Sequence, residues 1–313
     1  MRAVVVSQWG GPEVLTETTI DRPEPGPTEV LVRVHAAGVN PVDWKTRASG
    51  VLIDWAPTPI VGWDVSGTVE AVGMGVTLFQ PGDEVFGMPH FPKQAGGYAE
   101  YVTAPARHFV RKPAALDHVA AAALPLAALT AWQALVDTAD LRAGQRVLIH
   151  AAAGGVGHLA VQIAKARGAY VIGTASAAKH DLLRELGADE LIDYRSSDFA
   201  EAVRDVDVVL DTIGGDYGKR SLRVLRPGGH LVTIAGGDGL AVDADGVRVS
   251  VLLVEPDRQG LTALAALAEE GALRPLIDTV LPLEQAARAH EIGELGRTTG
   301  KIVLTVAPGE DQA

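Results

Sequence analysis

The chain has 313 residues, 47% of them hydrophobic and 21% charged, which excludes a disordered chain. Acidic residues outnumber basic ones by 39 to 27, a formal net charge of -12 that argues against nucleic acid or an anionic membrane as the main partner. There is no cysteine, so disulfides, iron–sulfur clusters, a thiol nucleophile and thiolate-bound zinc are excluded.

At roughly 150 residues per domain the length suggests about two domains. The apolar run Ala3 to Val6 is too short for a secretory signal. The longest Ala/Leu tract, Ala120 to Leu129, is interrupted by Pro125 and falls short of the roughly 20 apolar residues that span a bilayer. The expectation is a cytoplasmic protein without a membrane partner.

The first third reads as β structure. Ala3 to Val6, Glu29 to His35 and Ser66 to Val72 are Val-rich runs of alternating polarity, broken by turns such as Asp21 to Pro27 and Gln80 to Asp83. Short strands at this spacing predict a compact β barrel. After Leu116 the chain turns Ala-rich and helical, and strands and helices then alternate. Strands are expected at Arg146–His150, Tyr170–Thr174, Leu191–Asp193, Val206–Asp211 and His230–Ala235. Helices are expected at Gly155–Arg167, Lys179–Leu186 and Tyr217–Leu225. This alternation predicts a parallel, doubly wound sheet. The tail predicts a strand at Arg248–Val254, helices at Leu261–Glu270 and Leu283–Ile292, and a last strand at Lys301–Val306.

A glycine turn, His150-Ala151-Ala152-Ala153-Gly154-Gly155-Val156-Gly157-His158, joins a strand to a helix, as a dinucleotide-binding turn does. Ala153 to Gly157 would face a pyrophosphate: Gly154 lets the backbone approach it, and Gly157 lets the helix pack closely on the strand. The first glycine of the G-x-G-x-x-G pattern is Ala152 here, so the match is incomplete. His158, on the first helical turn, is expected to be partly exposed. About 20 residues on, NAD binders carry an acid for the ribose 2′-hydroxyl. Here Gly173 to Lys179 holds none; Ser176 and Lys179 suit a 2′-phosphate instead, which favours NADPH.

With these features in order, the chain resembles the medium-chain dehydrogenase/reductase superfamily, most closely its zinc-free quinone oxidoreductase (zeta-crystallin-like) branch. The marks are Ala37-Gly38-Val39-Asn40-Pro41-Val42-Asp43, Gly62-Trp63-Asp64-Val65-Ser66-Gly67, Pro81-Gly82-Asp83-Glu84-Val85 and Gly96-Gly97-Tyr98-Ala99-Glu100-Tyr101. Leu129-Thr130-Ala131-Trp132, the glycine turn and Gly300-Lys301-Ile302-Val303-Leu304 follow. The resemblance runs from Met1 to Val306. It implies an α/β fold with a GroES-like β-barrel catalytic domain over 1–125, a Rossmann NADP-binding domain over 126–254, and a C-terminal return to the catalytic domain over 255–313. Zinc members carry Cys where this chain has Asn40, and Gly-His-Glu where it has Gly62-Trp63-Asp64. The resemblance therefore implies no metal.

The implied reaction is hydride transfer from NADPH to a quinone or to the β-carbon of an α,β-unsaturated carbonyl. The resemblance puts Asn40 beside the nicotinamide, where its amide would donate to the developing oxyanion; the other reading is an Asn that caps its own turn before Pro41. Asp43 would order that loop or relay a proton, or act only as a helix cap. Tyr98 would line the cleft, or be a packed tyrosine. Trp44, Lys45 and Trp55 are candidates to shape the pocket. For the cofactor the resemblance extends to Thr130, Thr174, Ser176, Lys179, Tyr194, Ile213, Ala235, Gly236, Leu252, Leu253 and Arg297; for Lys179, Tyr194 and Arg297 a plain surface role stays open.

Two other readings compete: a stand-alone enoyl-thioester reductase, and a protein that binds NADPH without turnover as a redox sensor. A homodimer joined through the apolar strand Arg248–Val254 is expected from the resemblance.

Overall fold

The computed structural model describes residues 1–53, 58–236 and 246–306. Its contacts divide the chain into two units. Met1–Leu129 and the segment from Glu255 onward form one, and Thr130–Val254 forms the other.

The first unit opens with an antiparallel pair, β1 (Arg2–Val6) and β2 (Leu15–Thr19). The long strand β3 (Glu29–Val39) follows, four residues longer than its alternating pattern. Its extension Ala36–Val39 is small, apolar and buried, so alternation fades where both faces are covered. Next come α1 (Pro41–Ser49), β4 (Asp64–Val72), β5 (Glu84–Gly87), β6 (Tyr101–Pro105), β7 (Phe109–Arg111) and α2 (His118–Ala122). Helix α3 (Pro125–Trp132) starts at the proline that interrupts the Ala/Leu tract, since proline fits a first helical turn. The helix runs past Leu129 into the residues of the second unit, where a π-helical turn, Gln133–Thr138, continues it.

The second unit holds β8 (Arg146–Ile149), α4 (Gly157–Ala166), β9 (Tyr170–Ala175), α5 (His180–Glu185), β10 (Glu190–Asp193), α6 (Phe199–Ala202), β11 (Val206–Asp211), α7 (Asp216–Ser221), β12 (Leu225–Thr233) and β13 (Arg248–Val251). The sheet order is β10-β9-β8-β11-β12-β13, and every pair is parallel. Val147, Leu148, Ile149, Val209 and Leu210 are fully buried, as in a sheet with helices on both faces. Several boundaries differ from expectation. Helix α4 begins at Gly157 rather than Gly155 because the glycines form a turn first. The helix expected to reach Leu225 stops at Ser221, and Leu225 instead pairs with Val206 as the start of β12. Strand β13 stops at Val251.

The chain returns to the first unit with α8 (Arg258–Glu269), β14 (Ile277–Pro282), α9 (Ala286–Glu294) and β15 (Lys301–Thr305). The sheet order there is β14-β15-β3-β4-β5-β7, with β6 also paired to β3. Strand β3 organises this sheet. Glu29–Arg33 pair with β6, Ala36–Val39 pair with β15, and β4 runs along the other edge. Register shifts at Leu31/Val32 and Val34/Ala36 bend β3 between its partners. Asn40 thus stands where β3 ends, beside the start of β15. Among the described residues no helix is long and apolar enough to cross a membrane.

Candidate active site

Asn40 is buried at the junction of β3 and α1 and occupies the N-cap position of the helix. The start of α1 is a capping box, with Asn40 as its first member. The amide Nδ2 donates to Asp64 Oδ2 at 2.8 Å, and Oδ1 accepts from Lys301 Nζ. Lys301 also lies 3.3 Å from Asp64 Oδ2, and Asp64 Oδ1 accepts from the Leu126 backbone N at 2.6 Å. All three side chains are buried. A carboxylate can only accept and an ammonium can only donate, so together they fix which way the amide points. One Nδ2–H is used by Asp64; the second has no partner among the described residues. Burial pushes the Asp64 carboxyl up, and the Lys301 ammonium opposes that.

Asp43, one turn into α1, is the other member of that capping box. Its Oδ2 accepts from the Asn40 backbone N at 2.7 Å and from Tyr98 Oη at 2.9 Å. Its Oδ1 is buried without a hydrogen-bond partner. Burial pushes this carboxyl up to about 7, against the pull of the Asn40 and Tyr98 bonds. Tyr98 is fully buried, so it lies under the site rather than lining an open cleft. Gly62, at φ 97°, makes room for it: a Cβ there would sit 2.4 Å from the Tyr98 ring. Tyr98 Oη also lies 3.1 Å from His290 Nε2 on α9, and His290 Nδ1 lies 3.4 Å from Arg47 Nη1 on α1. Arg47 is itself buried, donates to the Gly10 carbonyl, and pairs with Glu294 at 2.6 Å. Trp44 packs edge-on against His290, and Lys45 is exposed. Trp55 lies outside the described residues.

In the second unit the glycine turn sits at the carboxyl end of β8. The positive φ falls on Ala151, not on a glycine. Gly157 is needed for closeness: a Cβ there would lie 2.3 Å from the Ala151 carbonyl oxygen. The backbone amides of Gly155, Val156 and Gly157 have no partner among the described residues. Three free donors at the start of a ten-residue helix suit a diphosphate. Gly154 is tied to Ala151 by its N–H, and Ala153 is buried beside it. His158 is fully buried and bonds the Gly154 carbonyl through Nδ1, so the expectation of partial exposure is corrected. The helix turns its first ring inward to brace the glycine turn.

The order of strands reverses at β8. The chain moves to β9 and β10 on one side and to β11, β12 and β13 on the other, which leaves a crevice above β8 and β11. Thr174 lies one residue before the end of β9 on one flank; its hydroxyl accepts from the Ala151 N–H, so it braces the turn. Ser176 occupies the N-cap position of the turn Ala177–Lys179, where Lys179 is half-buried. Tyr194 is exposed just beyond β10. On the other flank, buried Asp211 accepts from the N–H groups of Ile213 and Gly214, and Thr212 bonds the His150 carbonyl. Ile213, Ala235 and Gly236 are exposed at the carboxyl ends of β11 and β12, and Leu252 and Leu253 follow β13. Thr130 is buried within α3, and Arg297 is exposed in the turn after α9 of the first unit.

The structure therefore brings Asn40, Asp43 and Tyr98 together in one unit, and most expected cofactor residues to one sheet end in the other. Sequence reasoning missed Lys301, Asp64, His290 and Arg47 as parts of the site. Lys301 and Asp64 stand inside motifs already singled out, and a charged residue in an otherwise apolar strand start was the available signal. Nothing local marked His290 or Arg47.

Comparison with known proteins adds a family. The model described as "Alcohol dehydrogenase GroES-like domain" matches residues 26–114, and that described as "Zinc-binding dehydrogenase" matches residues 186–304. The chain is 35% identical over 327 residues to a quinone oxidoreductase of Pongo abelii, covering 97% of each. It is 37% identical to a chloroplastic NADPH-dependent alkenal/one oxidoreductase of Arabidopsis thaliana, covering 98% of this chain and 80% of that one. The solved structure of the quinone oxidoreductase from Coxiella burnetii matches with a TM-score of 0.91 at 38% identity, covering 98% of this chain and 99% of that one. Among the described residues no group of three or more His, Cys, Asp or Glu side chains is placed to hold a metal ion. Asn40 and Asp64 already share a lysine ammonium, a cation bonded where a metal would need their lone pairs.

Proposed function

The chain belongs to the quinone oxidoreductase-like branch of the medium-chain dehydrogenase/reductase superfamily, and from that premise we propose that it is a zinc-independent, NADPH-dependent reductase of quinones and α,β-unsaturated carbonyls. The observation that carries the reading is Asn40, an amide held in one orientation by Asp64 and Lys301 with one N–H to spare.

Bound NADPH supplies a hydride to the electron-poor carbon of the acceptor. Negative charge then develops on the acceptor oxygen, and the spare Asn40 N–H is the group that would donate to it. Lys301 backs the amide through Oδ1, which raises the acidity of that N–H. Asp43 grips the Asn40 peptide N–H and so holds the residue at the end of β3. In the second unit, the amides of Gly155, Val156 and Gly157 would hold the diphosphate. Ser176, Lys179 and Tyr194 would meet the 2′-phosphate, and Ile213, Ala235, Gly236, Leu252 and Leu253 the nicotinamide half. The missing acid at the end of β9 supports NADPH over NADH, as does the alkenal/one relative's name. Exposed Val251 and Leu253 at the edge strand β13 support a homodimer paired through that edge.

The test mixes the protein with NADPH and either 1,4-naphthoquinone, an alkyl vinyl ketone or a crotonyl thioester, and follows the nicotinamide absorbance. Oxidation with the first two supports the reading; preference for the thioester favours an enoyl reductase. Saturable NADPH binding with no oxidation across the panel overturns the reading and leaves a redox sensor. Replacing Lys179 by Glu should weaken NADPH far more than NADH; equal weakening removes the 2′-phosphate assignment.

A further inference from the structure

Four buried side chains behind Asn40 form a line that the proposed chemistry does not use directly: Asp43, Tyr98, His290 and Arg47. Their hydrogen-bond directions can be assigned from donor chemistry alone. A guanidinium has no acceptor, so Arg47 Nη1 can only donate, and His290 Nδ1 must accept. The ring then carries its proton on Nε2, and that N–H donates to Tyr98 Oη. Tyr98 in turn donates its own proton to Asp43 Oδ2. The Asn40 backbone N–H reaches the same oxygen. Both donors therefore converge on Oδ2, and Oδ1 is left without a partner.

We propose that His290, locked in its Nε2–H tautomer by Arg47, is a positioning residue that turns the Tyr98 hydroxyl proton toward Asp43 and confines the proton of Asp43 to Oδ1. In either charge state Oδ2 then stays free to hold the Asn40 peptide, so the donor amide keeps its place while the carboxyl titrates. With the opposite tautomer Tyr98 would donate to His290 instead, and Oδ2 would lose one of its two donors. No proton passes through Arg47, which does not deprotonate; the line orients and does not conduct.

The charges around the line agree with neutral His290. Burial pushes its pKa down to about 3, and the facing Arg47 adds to this. Asp43 faces Asp64 on β4, which raises its pKa, and Lys301 on β15, which lowers it. Burial pushes Tyr98 up, the facing Asp43 and Asp64 add to this, and Arg47 opposes it. Glu294 on α9 holds Arg47 from the solvent side.

The functional consequence rests on the role proposed above for Asn40, but the test does not. Nitrogen-15 NMR of histidine-labelled protein reads the tautomer, with the His290 signal assigned by its loss in His290→Gln. A pyridine-type Nδ1 and a protonated Nε2 across neutral pH are expected; a protonated Nδ1 overturns the proposal. Infrared difference spectra across the titration read the Asp43 carboxyl band, assigned by its loss in Asp43→Asn. Tyr98→Phe removes a donor to the carboxylate and should move its midpoint up by about one unit. His290→Leu should move it in the same direction, and His290→Gln, whose amide can accept from Arg47 and donate to Tyr98, should restore it. An unmoved midpoint in both Tyr98→Phe and His290→Leu, or a Gln variant no better than Leu, sinks the proposal. Should His290→Leu fail to fold, the tautomer and the Tyr98→Phe midpoint still decide it. These readouts stand whether or not any quinone or enone is reduced.

Discussion

Asn40 has two N–H groups, and the structure commits one of them. Asp64 takes that one, Lys301 fills the carbonyl end, and a flipped amide would face an ammonium with a donor and a carboxylate with an acceptor. Replacing Asn40 by Asp keeps the size and removes the donor, and it adds a carboxyl beside buried Asp64. Loss of one such donor elsewhere costs about 100- to 1,000-fold in rate. A fall of that order in kcat, with kcat/KM falling in parallel, is expected for naphthoquinone reduction, because the bond forms only as charge develops. A rise in KM at unchanged kcat would mean that Asn40 binds the acceptor rather than its transition state. Lys301 carries a second prediction at this scale. Lys301→Met leaves Asp64 buried without its cation and should cost about 3–5 kcal/mol. The double variant Lys301→Met with Asp64→Asn removes both charges and should recover much of it. Urea midpoints of the three proteins give the answer, and an additive double variant would show that the pair is not coupled.

At the scale of elements, the second unit was legible because burial on both faces writes itself as apolar runs, and helices between them repeat at their own period. Strands β8 to β12 and helices α4, α5 and α7 answer to that rule, with ends displaced. The first unit was harder to read. Strand β2 reads Leu-Thr-Glu-Thr-Thr and is mostly exposed, and β7 has three residues, so neither carries a pattern. Helix α1 begins at a proline behind Asn40 and looks like a turn. The same difference governs the site. Asn40 and Asp43 were legible as a short motif. Lys301 and His290 reach it from far along the chain, 261 residues from Asn40 and 243 from Arg47, so only the return of α9 and β15 makes them neighbours. The glycine turn is a local device, and its prediction is local too. Gly157→Ala would place a Cβ 2.3 Å from the Ala151 carbonyl oxygen and 2.8 Å from Ala152 Cα, both backbone atoms. Helix α4 must move off the turn. Overpacking of this kind typically costs about 1–3 kcal/mol. NADPH affinity in a fluorescence titration should fall with stability, since the same amides shift. Unchanged affinity would mean that the turn does not hold the cofactor.

For the whole molecule, the buried ionisable groups set how stability depends on pH, and they pull in opposite directions. Burial raises Asp43 from 3.8 to about 7. Between those values the folded chain keeps a proton that the unfolded chain has lost, so this contribution is full in acid and disappears as pH rises through about 7. Two of the buried histidines, His290 and His150, act the other way. Burial lowers His290 from 6.5 to about 3 and His150, in the second unit, to about 4. Between those values and 6.5 the unfolded chain binds protons that the folded chain refuses, so stability rises with pH across that window. Asp43 therefore offsets part of the histidine slope, and the wild-type curve should be flatter than either influence alone would make it. Asp43→Asn removes the falling part and leaves the rising one. At about 1.4 kcal/mol for each tenfold change in proton affinity, the difference between variant and wild type should move by a few kcal/mol in the variant's favour as pH climbs from acid to neutral. It should then level off above about 7. Urea unfolding of both proteins at a series of pH values measures that difference. A difference that stays constant from acid to neutral would show that Asp43 is already ionised in the folded protein, and with it that the buried oxygen Oδ1 carries no proton.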